Sequence, residues 1–180
     1  VGIDSFTDYY PRPAKERNLA FLRTQPNFRF VEGRIQDVAL GELLEGRTHV
    51  FHLAAQAGVR KSWGRDFDVY TTNNIEATQV LLEACVGRPL ERLVYASSSS
   101  VYGDLVAMPM REDALPQPVS PYGVSKLAAE QLCYLYFVNF GVPTVSLRYF
   151  TVYGPRQRPD MGFHKFLRAT VKGEAIAVYG

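Results

Sequence analysis

Cysteine and histidine are scarce in this chain, and each scarcity removes a class of chemistry. The two cysteines, Cys85 and Cys133, stand far apart among apolar neighbours in helical patterns. They lack metal-ligand spacing and read as two reduced core thiols. The three histidines, His49, His52 and His164, form no ligand motif, so no metal site is expected, and His52 is expected to pack beside a strand. A dominant sign of charge is missing too. Twenty basic and 18 acidic residues leave a net charge of +2, with the signs interspersed rather than gathered in a stripe, so nucleic acid is not an expected partner. Although 47% of the residues are hydrophobic, no run approaches membrane length and no signal peptide is visible; a cytoplasmic protein with no membrane partner is the expectation. Internal repeats and low-complexity tracts are absent, which excludes solenoid and fibrous architectures.

What is present is a chain of 180 residues, long enough to bury a substantial core. Strand-like apolar runs fall at Val1–Asp4, Phe28–Glu32, Thr48–Ala54, Leu93–Ser98 and Thr144–Tyr149. Helix-length segments lie between most of them, near Ala14–Arg23, Ala39–Leu44, Phe67–Cys85 and Pro121–Phe140. Ser120 and Pro121 supply a cap and first-turn residue for the last of these, and Gly141 followed by Pro143 marks its end. Strands alternating with helices predict an α/β fold with a parallel, doubly wound, Rossmann-like sheet. After Tyr153-Gly-Pro155 the polar stretch Arg156–Asp160 breaks the pattern, and a short helix near Phe163–Lys172 and a strand near Ala175–Tyr179 follow. We expect residues 1–153 to be a partial dinucleotide-binding domain and 154–180 the beginning of a substrate-binding domain. Val1-Gly-Ile-Asp4 reads as the interior of a strand, and neither the first strand nor the glycine-rich turn of a dinucleotide-binding unit is found, so the expectation is the middle of a longer enzyme.

Three side chains suggest the chemistry. Ser98 stands where an apolar strand turns polar at its carboxyl end, the end that holds ligands in open α/β sheets. Tyr122 and Lys126 are four apart at the start of a helix and therefore share a face. A phenol titrates near ~10 in water and is a poor base at neutral pH unless a nearby cation favours its phenolate. Lys126 is placed to supply that cation, and the set points to alcohol oxidation. Asp4, at the end of a strand, can accept hydrogen bonds from both hydroxyls of an adenine ribose while repelling a 2′-phosphate, which favours NAD over NADP.

These residues resemble the extended short-chain dehydrogenase/reductase proteins, specifically the nucleotide-sugar epimerases and dehydratases. The matching blocks run in order through nearly the whole chain: Val1-Gly-Ile-Asp4, His52-Leu-Ala-Ala-Gln-Ala-Gly-Val59, Tyr70 with Asn74, Ala96-Ser-Ser-Ser-Ser-Val-Tyr-Gly103, Tyr122–Lys126 and Arg148-Tyr-Phe-Thr-Val-Tyr-Gly-Pro155. The resemblance implies that Asp4, Ile35, Leu53, Ala54 and Ala55 line the adenine side of NAD, with Asn74 nearby, Tyr149 beside the nicotinamide and Lys126 and Tyr122 also at the cofactor. Arg34 departs from the pattern, since many relatives carry an acid there that meets the adenine amine. The resemblance also implies a homodimer paired through the helices at Phe67–Cys85 and Pro121–Phe140.

Two local choices narrow the activity. Sugar dehydratases of this family place Asp-Glu after the catalytic hydroxyl, whereas this chain has Ser99 and Ser100, and two hydroxyls are poor substitutes for the acid and base of an elimination. Thr151 stands where glucose/galactose-type epimerases usually have Asn, and the run Arg156-Gln-Arg-Pro-Asp-Met161 resembles the UDP-glucuronate 4-epimerases. Ser99, Ser100, Thr151 and Arg158 could meet a uronate carboxylate with hydroxyl donors and a cation, with Ser98 and Tyr122 at the reacting sugar hydroxyl. In the other reading, Arg156 and Arg158 contact the nucleotide diphosphate or solvent. The expected activity is NAD-dependent 4-epimerisation of a UDP-sugar, UDP-glucuronate to UDP-galacturonate, by transient oxidation at C4. The alternatives are a UDP-glucose 4-epimerase, a UDP-glucuronate decarboxylase, and a nucleotide-binding protein of the same fold without catalysis.

Overall fold

Parallel strands need a crossover, and in this chain helices supply it. The computed structural model describes residues 1–104 and 108–176. They fall into two compact units, one of Val1–Gly33 together with the residues from Thr151 onward, the other of Arg34–Phe150.

In the first unit β1 (Gly2–Asp4) and β2 (Phe30–Glu32) pair in parallel, with Ile3 opposite Val31, and α1 (Arg12–Arg23) connects them. A fork of two bonds, Arg12 Nη1 to Glu32 Oε1 and Nη2 to Oε2, both 2.7 Å, fastens the first turn of α1 to the end of β2. Lys15 is buried with its ammonium 4.6 Å from the Tyr10 ring centroid and donating to the Thr7 carbonyl. The later helix of this unit, Gly162–Lys172, ends at Gly173 with φ +67°.

The second unit contains α2 (Leu40–Leu43), β3 (His49–His52), α3 (Phe67–Tyr70), α4 (Ala77–Cys85), β4 (Arg92–Ser98), α5 (Pro121–Phe140) and β5 (Thr144–Tyr149); the helix Gly162–Lys172 is α6. Strands β3, β4 and β5 form a parallel sheet in that order, with Phe51 opposite Val94 and Ser98 opposite Tyr149. Helix α5 packs across β4 and β5 and along α4. Tyr70, Leu82, Leu93, Tyr95 and Val101 are almost wholly buried between these layers. Each such side chain stabilises the fold by about 1.5–3 kcal/mol relative to an exposed one. Alternation and parallel pairing together make this the expected α/β, Rossmann-like architecture.

The boundaries of α5 follow from its ends. The Ser120 hydroxyl accepts from the Gly123 N–H at 3.1 Å, Pro121 occupies the first turn, and Gly141 closes the helix at φ +69°. Elsewhere the chain departs from its sequence pattern. The single helix predicted over Phe67–Cys85 is interrupted by a π-helical stretch, Thr71–Glu76, between α3 and α4. Its Thr-Thr-Asn-Asn run consists of weak helix formers, and the Asn74 side chain bonds outside the helix, so the ladder widens there. The strand predicted over Thr48–Ala54 pairs only through His49–His52. Of the strand predicted near Ala175–Tyr179, Ala175 and Ile176 have no regular structure and residues 177–179 lie outside the described residues. Among the described residues no helix is long and apolar enough to cross a membrane, and no group of three potential metal ligands occurs.

Candidate active site

The carboxyl ends of β3, β4 and β5 and the first turns of α5 bring most of the candidate residues into one unit. Ser98 is the last residue of β4, buried, and caps a 3₁₀ turn over Ser99–Val101 by accepting from the Ser100 N–H at 3.2 Å. That bond uses a lone pair of Oγ and leaves the hydroxyl proton for another acceptor. Tyr149 is the register partner of Ser98 on β5 and is partly exposed. Ser99 and Ser100 follow in the 3₁₀ turn, both half-buried.

The start of α5 comes close to that turn because of a glycine. A Cβ on Gly123 would lie 2.6 Å from the Ser100 carbonyl oxygen and 2.8 Å from Pro118 Cβ, so no larger residue fits between the helix and the Ser98–Val101 segment. Gly103 does the same for the segment that leads away: its φ is +77°, and a Cβ there would meet the Gln117 carbonyl oxygen at 2.0 Å.

Tyr122 sits on the first turn of α5 with its ring edge-on to Tyr70, centroids 6.1 Å apart. One turn later Lys126 reaches the sheet, where its ammonium donates to the Ala96 carbonyl at 2.9 Å and lies 5.0 Å from the Tyr95 ring centroid. Only 4% of Lys126 is exposed, and burial brings its pKa down to about 8. The cation is thus held two residues before Ser98 on the same strand, and it remains charged at neutral pH.

Behind α5 lies a relay of buried polar groups. Asn74, fully buried in the π-helical stretch, accepts from the Gln56 N–H at 2.7 Å through Oδ1. Its amide donates to the Gln56 carbonyl at 3.0 Å and to the Ser125 hydroxyl at 2.9 Å. Ser125 donates in turn to the Tyr122 carbonyl at 2.8 Å. Both amide protons of Asn74 are therefore engaged within the protein, and Asn74 ties the Gln56 peptide to α5. The Thr78 hydroxyl gives its proton to the Asn74 carbonyl at 2.6 Å, so at 2.9 Å from His52 it accepts, and His52 carries its hydrogen on Nε2. Burial, with the Lys126 charge a smaller cause, lowers the His52 pKa to about 3, so the ring is neutral and structural, as expected of a histidine beside a strand.

A second buried cluster was not singled out by the sequence. Glu130, one turn beyond Lys126, accepts from the Ser97 hydroxyl and from Arg148, whose Nη2 donates to Oε2 at 2.9 Å and Nε to Oε1 at 3.1 Å. Arg148 also stacks on the Tyr102 ring at 4.8 Å and donates to the Glu112 carbonyl. This ties β4, β5, α5 and the segment after Ser98 together beside the candidate site. The only sequence signal for it was an acid four residues beyond Lys126 on a largely apolar helix.

Ile35 is buried, while Leu53, Ala54 and Ala55 are exposed directly after β3. Asp4, Thr151 and Arg158 belong to the other unit. Asp4 ends β1 and accepts from the Phe6 N–H at 2.8 Å through one carboxylate oxygen. Thr151 is exposed. Arg158 is half-buried and paired with Asp160. Cys85 and Cys133 are buried free thiols, pushed up to about 11 and about 12 by burial, and so inert at neutral pH.

A serine at the end of a parallel strand, and a tyrosine and a buried lysine one turn apart on the helix packed against it, are the arrangement that the motif resemblance implied. Comparison with known proteins bears out the family resemblance. The chain is 44% identical over 180 residues to an uncharacterised UDP-glucose epimerase of Bacillus subtilis (strain 168), covering 100% of this chain and 57% of that protein. It is 42% identical over 184 residues to UDP-glucuronate 4-epimerase 3 of Arabidopsis thaliana, covering 99% of this chain and 42% of that one. The crystal structure of UDP-glucuronic acid 4-epimerase from Bacillus cereus in complex with UDP-glucuronic acid and NAD superposes with a TM-score of 0.95 at 47% identity, covering 99% of this chain and 57% of that one. The chain thus spans about half the length of the curated relatives it matches. With a match that extends over residues 1–180, it belongs to the NAD dependent epimerase/dehydratase family.

Proposed function

We propose that the chain is part of an NAD-dependent UDP-sugar 4-epimerase, an isomerase that interconverts UDP-glucuronate and UDP-galacturonate. The observation that carries the reading is the joint placement of Ser98, Tyr122 and Lys126, with Ser99 and Ser100 in the following turn where a dehydratase needs acids. The relatives named UDP-glucuronate 4-epimerase support the same substrate.

The residues fit NAD. The exposed apolar run Leu53-Ala54-Ala55 and buried Ile35 suit the adenine side, and Asp4, with a carboxylate oxygen beyond its bond to Phe6, suits ribose hydroxyls. Lys126 and Tyr149 suit the nicotinamide half. When bound, NAD supplies the hydride acceptor and donor for C4 of the sugar. The remaining roles fall to the chain itself. Tyr122, as phenolate, takes the proton from O4, and the Lys126 ammonium favours that phenolate. The Ser98 hydroxyl donates to the oxygen as it becomes a carbonyl. The keto sugar then turns over in the pocket, and Tyr122 returns the proton to O4 with the configuration inverted. Ser99 and Ser100 offer hydroxyl donors for the C6 carboxylate, and Thr151 and Arg158 are the further hydroxyl and the cation that the family resemblance assigns to it.

A second reading, a 4-epimerase of neutral UDP-glucose, is favoured by the name of the Bacillus subtilis relative. Residues 1–153 in this proposal are part of the NAD-binding domain and 154–180 begin the substrate-binding domain. The enzyme is cytoplasmic and a homodimer; the exposed Tyr134, Leu135, Val138 and Phe140 of α5 support an interface there. The full-length protein, incubated with UDP-glucuronate without added NAD and followed by proton NMR, tests the assignment. UDP-galacturonate is the expected product. UDP-xylose transfers the reading to decarboxylation, and conversion of UDP-glucose alone removes the carboxylate roles.

A further inference from the structure

The Lys126 ammonium is buried, and among the described residues no carboxylate forms an ion pair with it. Its hydrogen bond goes to the Ala96 carbonyl at 2.9 Å, and its Nζ stands 5.0 Å from the centroid of the Tyr95 ring, which is almost wholly buried as well. The titratable groups on the elements packed around it supply no counter-charge at neutral pH. His52 of β3 is a neutral ring, and Cys133 of α5 is a thiol. Tyr70 of α3 gives its hydroxyl proton to the Gly58 carbonyl at 2.7 Å. Glu130, one turn along α5, is engaged by Ser97 and by Arg148 of β5. Tyr122 is the group whose ionisation the cation serves. The Tyr95 hydroxyl is itself buried with no hydrogen-bond partner among the described residues, so what this side chain offers is its ring. The face of such a ring carries partial negative charge and attracts a cation more strongly away from water than in it.

We infer that the face of the Tyr95 ring holds the Lys126 ammonium in place, and that Tyr95 is therefore a positioning residue for the proton transfer proposed for Tyr122. The inference rests on the roles given to Tyr122 and Lys126 above. Burial disfavours the charged form of a lysine, and an amine that turned neutral would stop favouring the phenolate. A carboxylate at this place would keep Lys126 charged but would also oppose the phenolate, since two anions would then share one cation. An aromatic face attracts the ammonium while adding no net charge, so it steadies the cation without competing with Tyr122 for it. Tyr95 and Ala96 are consecutive on β4, so one stretch of strand supplies both the ring and the carbonyl that meet the ammonium.

The test reads Lys126 directly. Full-length protein carrying Tyr95→Phe, and then mono-, di- and trifluorinated phenylalanine at the same position, is isotopically labelled at the lysine ε-carbons. The Lys126 signal, identified by its loss in Lys126→Met, is titrated by NMR alongside the pH profile of kcat with UDP-glucuronate. Fluorine draws charge from the ring face while leaving its size nearly unchanged. Tyr95→Phe, which keeps the face, is expected to keep the wild-type midpoint. The trifluorinated ring is expected to lower that midpoint by about one pH unit, with the alkaline limb of kcat following it. A merely structural role changes stability without grading either quantity by fluorine number. A midpoint that ignores the fluorines overturns the inference, and so does a kcat profile that fails to follow a moving midpoint; in both cases loss of turnover in Lys126→Met leaves the role of Lys126 standing. Wild-type turnover in Lys126→Met overturns that role, and this inference with it.

Discussion

The Asn74 amide nitrogen lies 2.9 Å from the Ser125 hydroxyl, a bond that joins a π-helical stretch to the helix bearing Tyr122 and Lys126. Asn74→Ala removes it together with both bonds to the Gln56 peptide and leaves buried donors and acceptors unmet. A loss of about 3 kcal/mol of stability is expected. Because the first turn of α5 is then free to shift, turnover falls further, by about 100-fold, with KM changed less. Urea denaturation and steady-state kinetics of the full-length protein measure the two effects separately.

Tyr122→Phe keeps the ring and its edge contact with Tyr70 and deletes only the group proposed to move the O4 proton. Turnover is expected to fall by about 10²–10⁴-fold or more while UDP-sugar affinity stays within about threefold. Parallel loss of both quantities, measured by kinetics and calorimetry, counts against the tyrosine as base.

Lys126 links stability to pH in a direction opposite to a salt-bridged lysine. Burial lowers its pKa from 10.5 to about 8, so below that value both folded and unfolded chains carry the charge and the cost of burying it is fully present. Between about 8 and 10.5 the unfolded chain binds a proton that the folded chain has released, and stability contributed by this residue rises with pH. The difference in denaturation midpoint between wild type and Lys126→Met should therefore move in favour of wild type across that window. A difference that stays flat removes the desolvated lysine.

The Glu130–Arg148 pair, with side chains 8% and 18% exposed, is costly to break from one side only. Glu130→Ala strands the guanidinium against the sheet, and about 3–5 kcal/mol of destabilisation is expected. Removing both partners costs less than the sum of the single changes, so a double-mutant cycle by chemical denaturation reports a coupling of at least about 1 kcal/mol.

Much of this was legible from local pattern. Ser120, Pro121 and Gly141 bracket α5 in the sequence and bracket it in the structure, because caps act on the residues next to them. The Tyr122/Lys126 spacing needed only the helix period to become a shared face. The helix over Phe67–Cys85 was legible as helix but not as interrupted, since the π-helical stretch answers to partners outside itself. Asn74 was read as a residue near the cofactor, and its bonds to Gln56 and Ser125 were invisible to any periodicity.

The sequence by itself therefore determined the alternation of strands and helices, the parallel sheet that follows from it, and the identity of the serine, tyrosine and lysine. Periodicity, caps and turn residues are short-range physics, written in neighbouring letters. Only the tertiary structure decided that Ser125 lies against Asn74, 51 residues away, that Ser97 and Arg148 converge on Glu130, 33 and 18 residues away, and that Asp160 meets Tyr9 across 151. Those pairings depend on which buried polar groups meet once the layers have packed, and a buried donor or acceptor must find a partner wherever the fold has placed one.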